Sequence, residues 1–289
     1  MKRIETRSTL RYTVRTPTTF LFQIAVAANE HQRIVEESLE TEPALELEAF
    51  EIGGEGNRMH RAIVEPGPLE VRYRAIVELD QDVAEPARLA QATQAELPAE
   101  ALPYLNPSRY CESDRLMKFA WDRFGDIDPG HGRVAAVVDW VHDHLDYVPG
   151  STGATTTACD VLVQGAGVCR DYAHLTISLC RALGLPARYV AGYAVDLEPP
   201  DFHGFCEVWL GDAWYLFDAT RLAPVSGFVR IGTGRDAADA SFATIVGSAG
   251  SEPPTVSAAR VDDGDDDGDG APDADANRPA DAGSAVSIG

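Results

Sequence analysis

Lysine is nearly missing from this chain: of 24 basic residues only Lys2 and Lys118 are lysine, against 46 Asp and Glu, for a formal net charge of −22. With no basic stripe to offset phosphates, nucleic acid is not an expected partner, and neither is an anionic membrane surface. Long hydrophobic runs are lacking too, since no segment approaches the ~20 apolar residues of a membrane-crossing helix. The run Phe20 to Ala28, behind Lys2 and Arg3, imitates a secretory leader, but Gln23 interrupts it and Pro17-Thr18-Thr19 precedes it, so a strand is the better reading. Cysteines number only five, an odd count without paired spacing, which points to a reducing compartment. His142 and His144 stand two apart on an expected helix, and no His or Cys pair has zinc-ligand spacing, so no metal and no cofactor is expected. The expected setting is cytoplasmic.

What is abundant is acid. An acidic, arginine-rich composition suits a high-salt cytoplasm such as that of halophilic archaea, because screening removes the self-repulsion. A GC-rich genome with an acidic tail is the rival reading. Residues 261–289 carry nine Asp and one Arg, which is −8 of the −22 and leaves −14 on the rest. Within that tail Asp263, Asp265, Asp267 and Gly268 match the start of a calcium loop, yet its twelfth position is Ala274 rather than Glu. A solvated, disordered tail is expected, with no calcium requirement.

Three regions follow from the patterning. Residues 1–105 hold about six short alternating strands, among them Leu10 to Val14, Phe20 to Val26, Ile34-Val35, Leu45 to Leu47 and Leu69 to Tyr73. They predict a small β-sandwich or barrel, followed by an Ala-, Pro- and Glu-rich linker. Residues 106–249 predict helices from Ser113 to Phe124 and Gly132 to Leu145, then a buried helix from Cys169, then an antiparallel sheet; this is α+β order. Residues 250–289 form the tail.

Cys169 is the residue on which the chemistry turns. It opens a helix behind Gly165 and Gly167, where unpaired backbone N–H groups and the helix dipole favour thiolate over thiol and can later hold an oxyanion. A lone cysteine there would be structural, but Asp201 to Leu210 and Ala213 to Thr220 form two aromatic, β-branched strands around Gly211-Asp212. If that turn sets the register, paired positions sum to 423 and Asp218 is the diagonal neighbour of His203 on one face. A one-residue slip would separate them. The same parity turns Cys206 away from His203, into the core. Cys180, eleven residues after Cys169, and His174, five after it, lie out of reach. Beyond the Cys169 N–H the second oxyanion donor is open; Gln164, five residues upstream, is a candidate.

These segments together resemble the transglutaminase-like superfamily of papain-like cysteine enzymes. GVCRDYAHL, DFHGFCEV and WYLFDAT carry the resemblance in the family's order Cys, His, Asp, and CESDRLMKFA, DWVHDHLDYVPG, CRALGLPARYVAGY and GRDAADASF extend it. The opening strands are similar to the β-domain that precedes the core in bacterial and archaeal members, so the resemblance covers residues 1–249. It implies a papain-like α+β core behind a small all-β domain, a catalytic triad of Cys169, His203 and Asp218, and a protein or peptide substrate. Gly204-Phe205 replaces the usual Ala-Trp, and Ala219-Thr220 lacks the usual proline. Three functions stay open: hydrolysis of an amide through a thioacyl-enzyme, which is favoured; amine transfer from the same intermediate; and a binding module without turnover. Oligomeric state is not legible. Cys169→Ala is expected to abolish turnover while Cys180→Ser leaves it largely intact; loss of activity in a folded Cys180→Ser chain would mean that the nucleophile is misassigned.

Overall fold

The computed structural model describes residues 2–53, 55–261 and 285–287. The calcium-like run from Asp263 to Ala274 lies outside them.

Alternation of apolar and polar residues builds the first half. Strands β1 (Lys2–Val14), β2 (Thr18–Phe22), β3 (Gln32–Glu42), β4 (Glu48–Ile52), β5 (Asn57–Val64) and β6 (Gly67–Leu79) follow one another, and β7 (Asp82–Ala84) closes the series. In β1 every second residue from Ile4 to Val14 is buried, the period-2 pattern of a strand with one covered face. It pairs antiparallel with β6 along its full length, Lys2 opposite Leu79 through Val14 opposite Gly67. Sheet β1-β6-β3 packs on sheet β2-β5-β4, and Tyr12, Phe20 and Phe22 meet between them with ring centroids 4.9 to 6.1 Å apart. This is the expected sandwich, although the strand expected over Phe20 to Val26 runs from Thr18 to Phe22, and two further differences stand out. Leu45 to Leu47 is not a strand: after Glu42-Pro43 the chain turns, with the Leu45 N–H donating to the Thr41 hydroxyl at 2.9 Å. The strand Asn57–Val64, absent from the expectation, holds the centre of the second sheet.

The second half begins with α1 (Ser113–Phe124) and α2 (His131–His144), one residue from the expected bounds of the latter. Then come β8 (Asp146–Tyr147), α3 (Ala158–Gln164), β9 (Ala166–Gly167) and α4 (Cys169–Ala182), followed by β10 (Ala187–Ala194), β11 (Phe202–Leu210), β12 (Ala213–Phe217) and β13 (Phe228–Gly234). The antiparallel sheet β12-β11-β10-β13 packs against α4, which is buried from Asp171 to its end. No helix among the described residues is long and apolar enough to cross a membrane.

After β13 the chain returns to the first domain. β14 (Ala243–Val246) joins β2, while β15 (Ala249–Ser251) and β16 (Thr255–Arg260) both pair with β1; β17 (Ala285–Ser287) pairs with β7. A solvated tail is expected from residue 250, yet these segments are strands: Val256 is buried, and β16 covers an edge of β1 that would otherwise be unpaired.

Two buried amides hold the halves together. β13 ends its sheet and is buried along its length, so the backbone groups on its outer edge need partners. Asn57 donates to the Thr233 carbonyl at 2.8 Å and accepts from its N–H at 3.0 Å; Gln32 donates to the Arg230 carbonyl at 3.0 Å and accepts from its N–H at 2.5 Å. Each amide thus stands in for a neighbouring strand. Asn57→Leu removes both partners of Thr233 and is expected to cost about 1–3 kcal/mol, seen as a melting temperature lowered by several degrees; an unchanged melt would contradict this role.

Candidate active site

Cys169 is the first residue of α4, and Val168 precedes it in extended conformation. Asp171, fully buried, fixes this entry: one carboxylate oxygen accepts from the Val168 N–H at 2.9 Å and from the Thr152 hydroxyl at 2.5 Å, and Arg170 donates to the other. Gly167 is dictated by that carboxylate, since a Cβ there would lie 2.7 Å from the Asp171 Cβ. Gly165 ends α3 at φ +70°, a left-handed cap that suits glycine.

The hairpin register is the one set by the Gly211-Asp212 turn, Leu210 opposite Ala213 through Cys206 opposite Phe217. His203 Nε2 meets Asp218 Oδ2 at 2.8 Å, with both side chains buried. The Asp218 carboxylate also accepts from the Thr220 N–H at 2.9 Å and from its hydroxyl at 2.8 and 2.9 Å, an Asx turn with a second donor. Cys169, at the start of α4, also acts electrostatically on this ring. Burial alone would push the imidazole down, but the Asp218 charge and hydrogen bond, with a contribution from Cys169, raise it to about 10. With Nε2 on the carboxylate, Nδ1 is the nitrogen left for the thiol. The structure thus brings Cys169, His203 and Asp218 together.

Several supports escaped the sequence. His142 on α2 bonds the Ala219 carbonyl at 2.9 Å, and Arg221 pairs with Asp139 of the same helix, so the segment carrying Asp218 is tied down on both sides. His144 instead bonds the Leu162 carbonyl. Phe205 is buried and stacks on Phe228 at 4.4 Å, and both rings lie beside His203. In this chain the Ala-Trp departure therefore gives an apolar floor under the imidazole. Gly204 makes room for Tyr189, whose hydroxyl would lie 2.4 Å from any Cβ there. Tyr147, which nothing in the sequence singled out beyond its place in DWVHDHLDYVPG, packs its ring on Tyr172 with centroids 6.0 Å apart, and burial and the neighbouring Cys169 push its phenol up.

The remaining candidates go elsewhere. Gln164 is exposed and donates its amide to the Ser151 carbonyl at 3.0 Å. Cys206 is buried in the core that includes α4, as its parity requires, and Cys111 and Cys180 are buried with it. Burial pushes the thiols of Cys111 and Cys180 up to about 12. His174 is also enclosed, accepting from the Ala237 N–H at 3.1 Å and held near 4 by burial. Among the described residues no group of three or more His, Cys, Asp or Glu is arranged to hold a metal.

The chain is similar to known proteins. The model of the Transglutaminase-like superfamily matches residues 122–219, and that of the bacterial transglutaminase N-terminal domain matches residues 1–99. A crystal structure of a "putative cysteine protease" from Cytophaga hutchinsonii superimposes with a TM-score of 0.90 at 39% identity, over 99% of this chain and 97% of that one. An uncharacterized protein of Mycobacterium leprae is 32% identical over 144 residues, 47% of this chain and 51% of that protein. One of Mycobacterium tuberculosis is 32% identical over 114 residues, 34% of this chain and 36% of its own length. The match spans about half or less of these curated relatives.

The pH dependence follows from the direction of the His203 shift. A proton held more tightly in the folded state stabilises the fold fully below 6.5, and that contribution is lost as pH rises through about 10. In Asp218→Asn the opposing charge is gone, so burial prevails. The alkaline limb of kcat/KM is expected to move from near 10 to below 6.5, with kcat down roughly a thousandfold or more. A pH–rate profile that keeps its alkaline limb in Asp218→Asn would contradict the pairing.

Proposed function

The chain belongs to the transglutaminase-like superfamily, and on that footing we propose that it is a cysteine-dependent hydrolase of amide or peptide bonds that works through a thioacyl-enzyme. The observation that carries this reading is the buried His203–Asp218 contact of 2.8 Å, on a ring that also feels Cys169 at a helix start. The Cys169 thiolate attacks the amide carbonyl, and the imidazolium of His203 gives its proton to the departing amine. The neutral imidazole then takes a proton from water, which attacks the thioester and releases the acid. Asp218 keeps the ring oriented throughout and offsets its positive charge.

Hydrolysis is supported over amine transfer by the similarity, along nearly the whole chain, to the Cytophaga structure whose description names a cysteine protease. The scarcity of lysine points the same way, if the proteins around this one share it. All five cysteines are free of disulfides, which supports a reducing, cytoplasmic setting. The substrate class is a protein or peptide.

Mass spectrometry of Gln- and Lys-containing peptides, incubated with the protein in concentrated KCl and reductant, tests the reading. Cleaved or deamidated products are expected with the native chain and none with Cys169→Ala. Crosslinked peptides would shift the assignment to amine transfer, and an absence of any Cys169-dependent product from a broad set would leave a binding module.

A further inference from the structure

Between β8 and α3 the chain runs without helix or strand over residues 148–157, and this loop brackets the nucleophile. The Val148 N–H donates to the carbonyl of Gly167, which precedes Cys169 by one residue, at 3.0 Å. The Thr152 hydroxyl donates at 2.5 Å to the carboxylate of Asp171, which follows Cys169 by one residue. A substrate at Cys169 therefore lies beside this loop.

No element of its own stiffens the loop, and neighbouring side chains do so instead. Gln164 of α3 donates to the Ser151 carbonyl at 3.0 Å, Arg170 of α4 to the Gly153 carbonyl at 3.0 Å, and the Tyr110 hydroxyl to the Ala154 carbonyl at 2.8 Å. Arg170 also donates to the Thr152 hydroxyl at 3.2 Å and to the Asp171 carboxylate at 2.9 Å. Its guanidinium thus joins the loop to the turn that carries Cys169, a task that needs a planar fork of several donors. These contacts consume carbonyls and leave donors. Among the described residues no protein group accepts from the N–H of Thr152, Ala154 or Thr155, and Gly153 to Thr155 are exposed. The side chains from Gly150 to Thr156 are small and uncharged, so another main chain can approach closely.

Resting on the hydrolytic reading above, we propose that Ser151 to Thr155 is the binding wall for a peptide substrate, and that Arg170 is the positioning residue that fixes this wall beside Cys169. The backbone carbonyls of the peptide accept from the free N–H groups of the loop. A row of acceptors is what an extended peptide offers, and a wall set before binding spares the cost of ordering it. Recognition here is of peptide backbone rather than of a particular side chain. Gln164, a candidate oxyanion donor by sequence, serves as one of the anchors.

The test follows, by the mass of the adduct, two reagents from which the Cys169 sulfur displaces a halide, with the full chain and with Cys169→Ala as the blank. Acetyl-Ala-Ala-Gly chloromethyl ketone carries peptide carbonyls and is expected to react saturably, with a half-saturating concentration KI. Iodoacetamide is too small to reach along the loop and reports the thiol alone. Arg170→Lys keeps the charge and loses the fork, and Thr152→Val keeps the volume and loses the hydroxyl. Each is expected to raise KI roughly tenfold, and the two together by little more because they break one tie, with iodoacetamide rates within about threefold. An unchanged KI in both variants overturns the assignment. So does a KI raised in Arg170→Met but not in Arg170→Lys, which makes Arg170 a charge rather than a clamp, and so does an equal loss with both reagents, which places the effect on the thiol. A native chain that cleaves peptides but reacts with the ketone without saturation overturns the wall and leaves the hydrolytic reading standing. Saturation in a chain that cleaves none removes that reading and keeps the wall as a peptide-binding site.

Discussion

A carboxylate buried beside an imidazole is the constraint around which the second half of this protein is organised. Both side chains are almost wholly removed from water, which is costly unless the charges meet and the carboxylate's lone pairs are engaged. Asp218 meets that condition through His203, the Thr220 N–H and the Thr220 hydroxyl. The result is a proton held on the imidazole well above its ordinary range, at a ring that also feels Cys169. Burial is what gives the pair its strength, and the Phe205 and Phe228 rings supply it on one side.

Such an arrangement needs a rigid frame, because a displacement of an ångström at the nucleophile is costly in rate. α4 provides one end of it, buried along nearly its whole length with Asp171 tied to its entry. The hairpin provides the other, and α2 pins the turn that follows through His142 and Arg221. The first domain enters this logic through β13. Its outer edge lies in the same sheet as His203, and Gln32 and Asn57 complete that edge with side-chain amides. The β-sandwich is therefore part of the support of the sheet that carries His203, and the closing strands β14 to β16 return the chain to it.

What could be read from the sequence was whatever short-range chemistry dictates. A helix start after Gly165 and Gly167, and a two-residue turn that fixes a hairpin register, are local, and together they put forward Cys169, His203 and Asp218 and turned Cys206 inward. Alternation revealed the sandwich. The supports were hidden because they depend on distant pairings: Gln32 meets Arg230 across 198 positions and Asn57 meets Thr233 across 176. Tyr147 was hidden for a related reason, since a two-residue parallel strand leaves no periodic signal. The strands β15 and β16 were misjudged because the acidic, Gly-rich composition beyond them colours the whole C-terminal stretch, although Val256 is a core residue.

The central claim is that the Asp218 carboxylate holds a proton on His203, ready for transfer. Nitrogen chemical shifts of the His203 ring, followed by NMR in the native chain and in Asp218→Asn, test it most directly. An imidazolium that persists in the native protein well past pH 6.5, towards about 10, and is lost at far lower pH in the variant, is the predicted result. A native ring that is already neutral at pH 7, with the same midpoint in both proteins, would contradict the account.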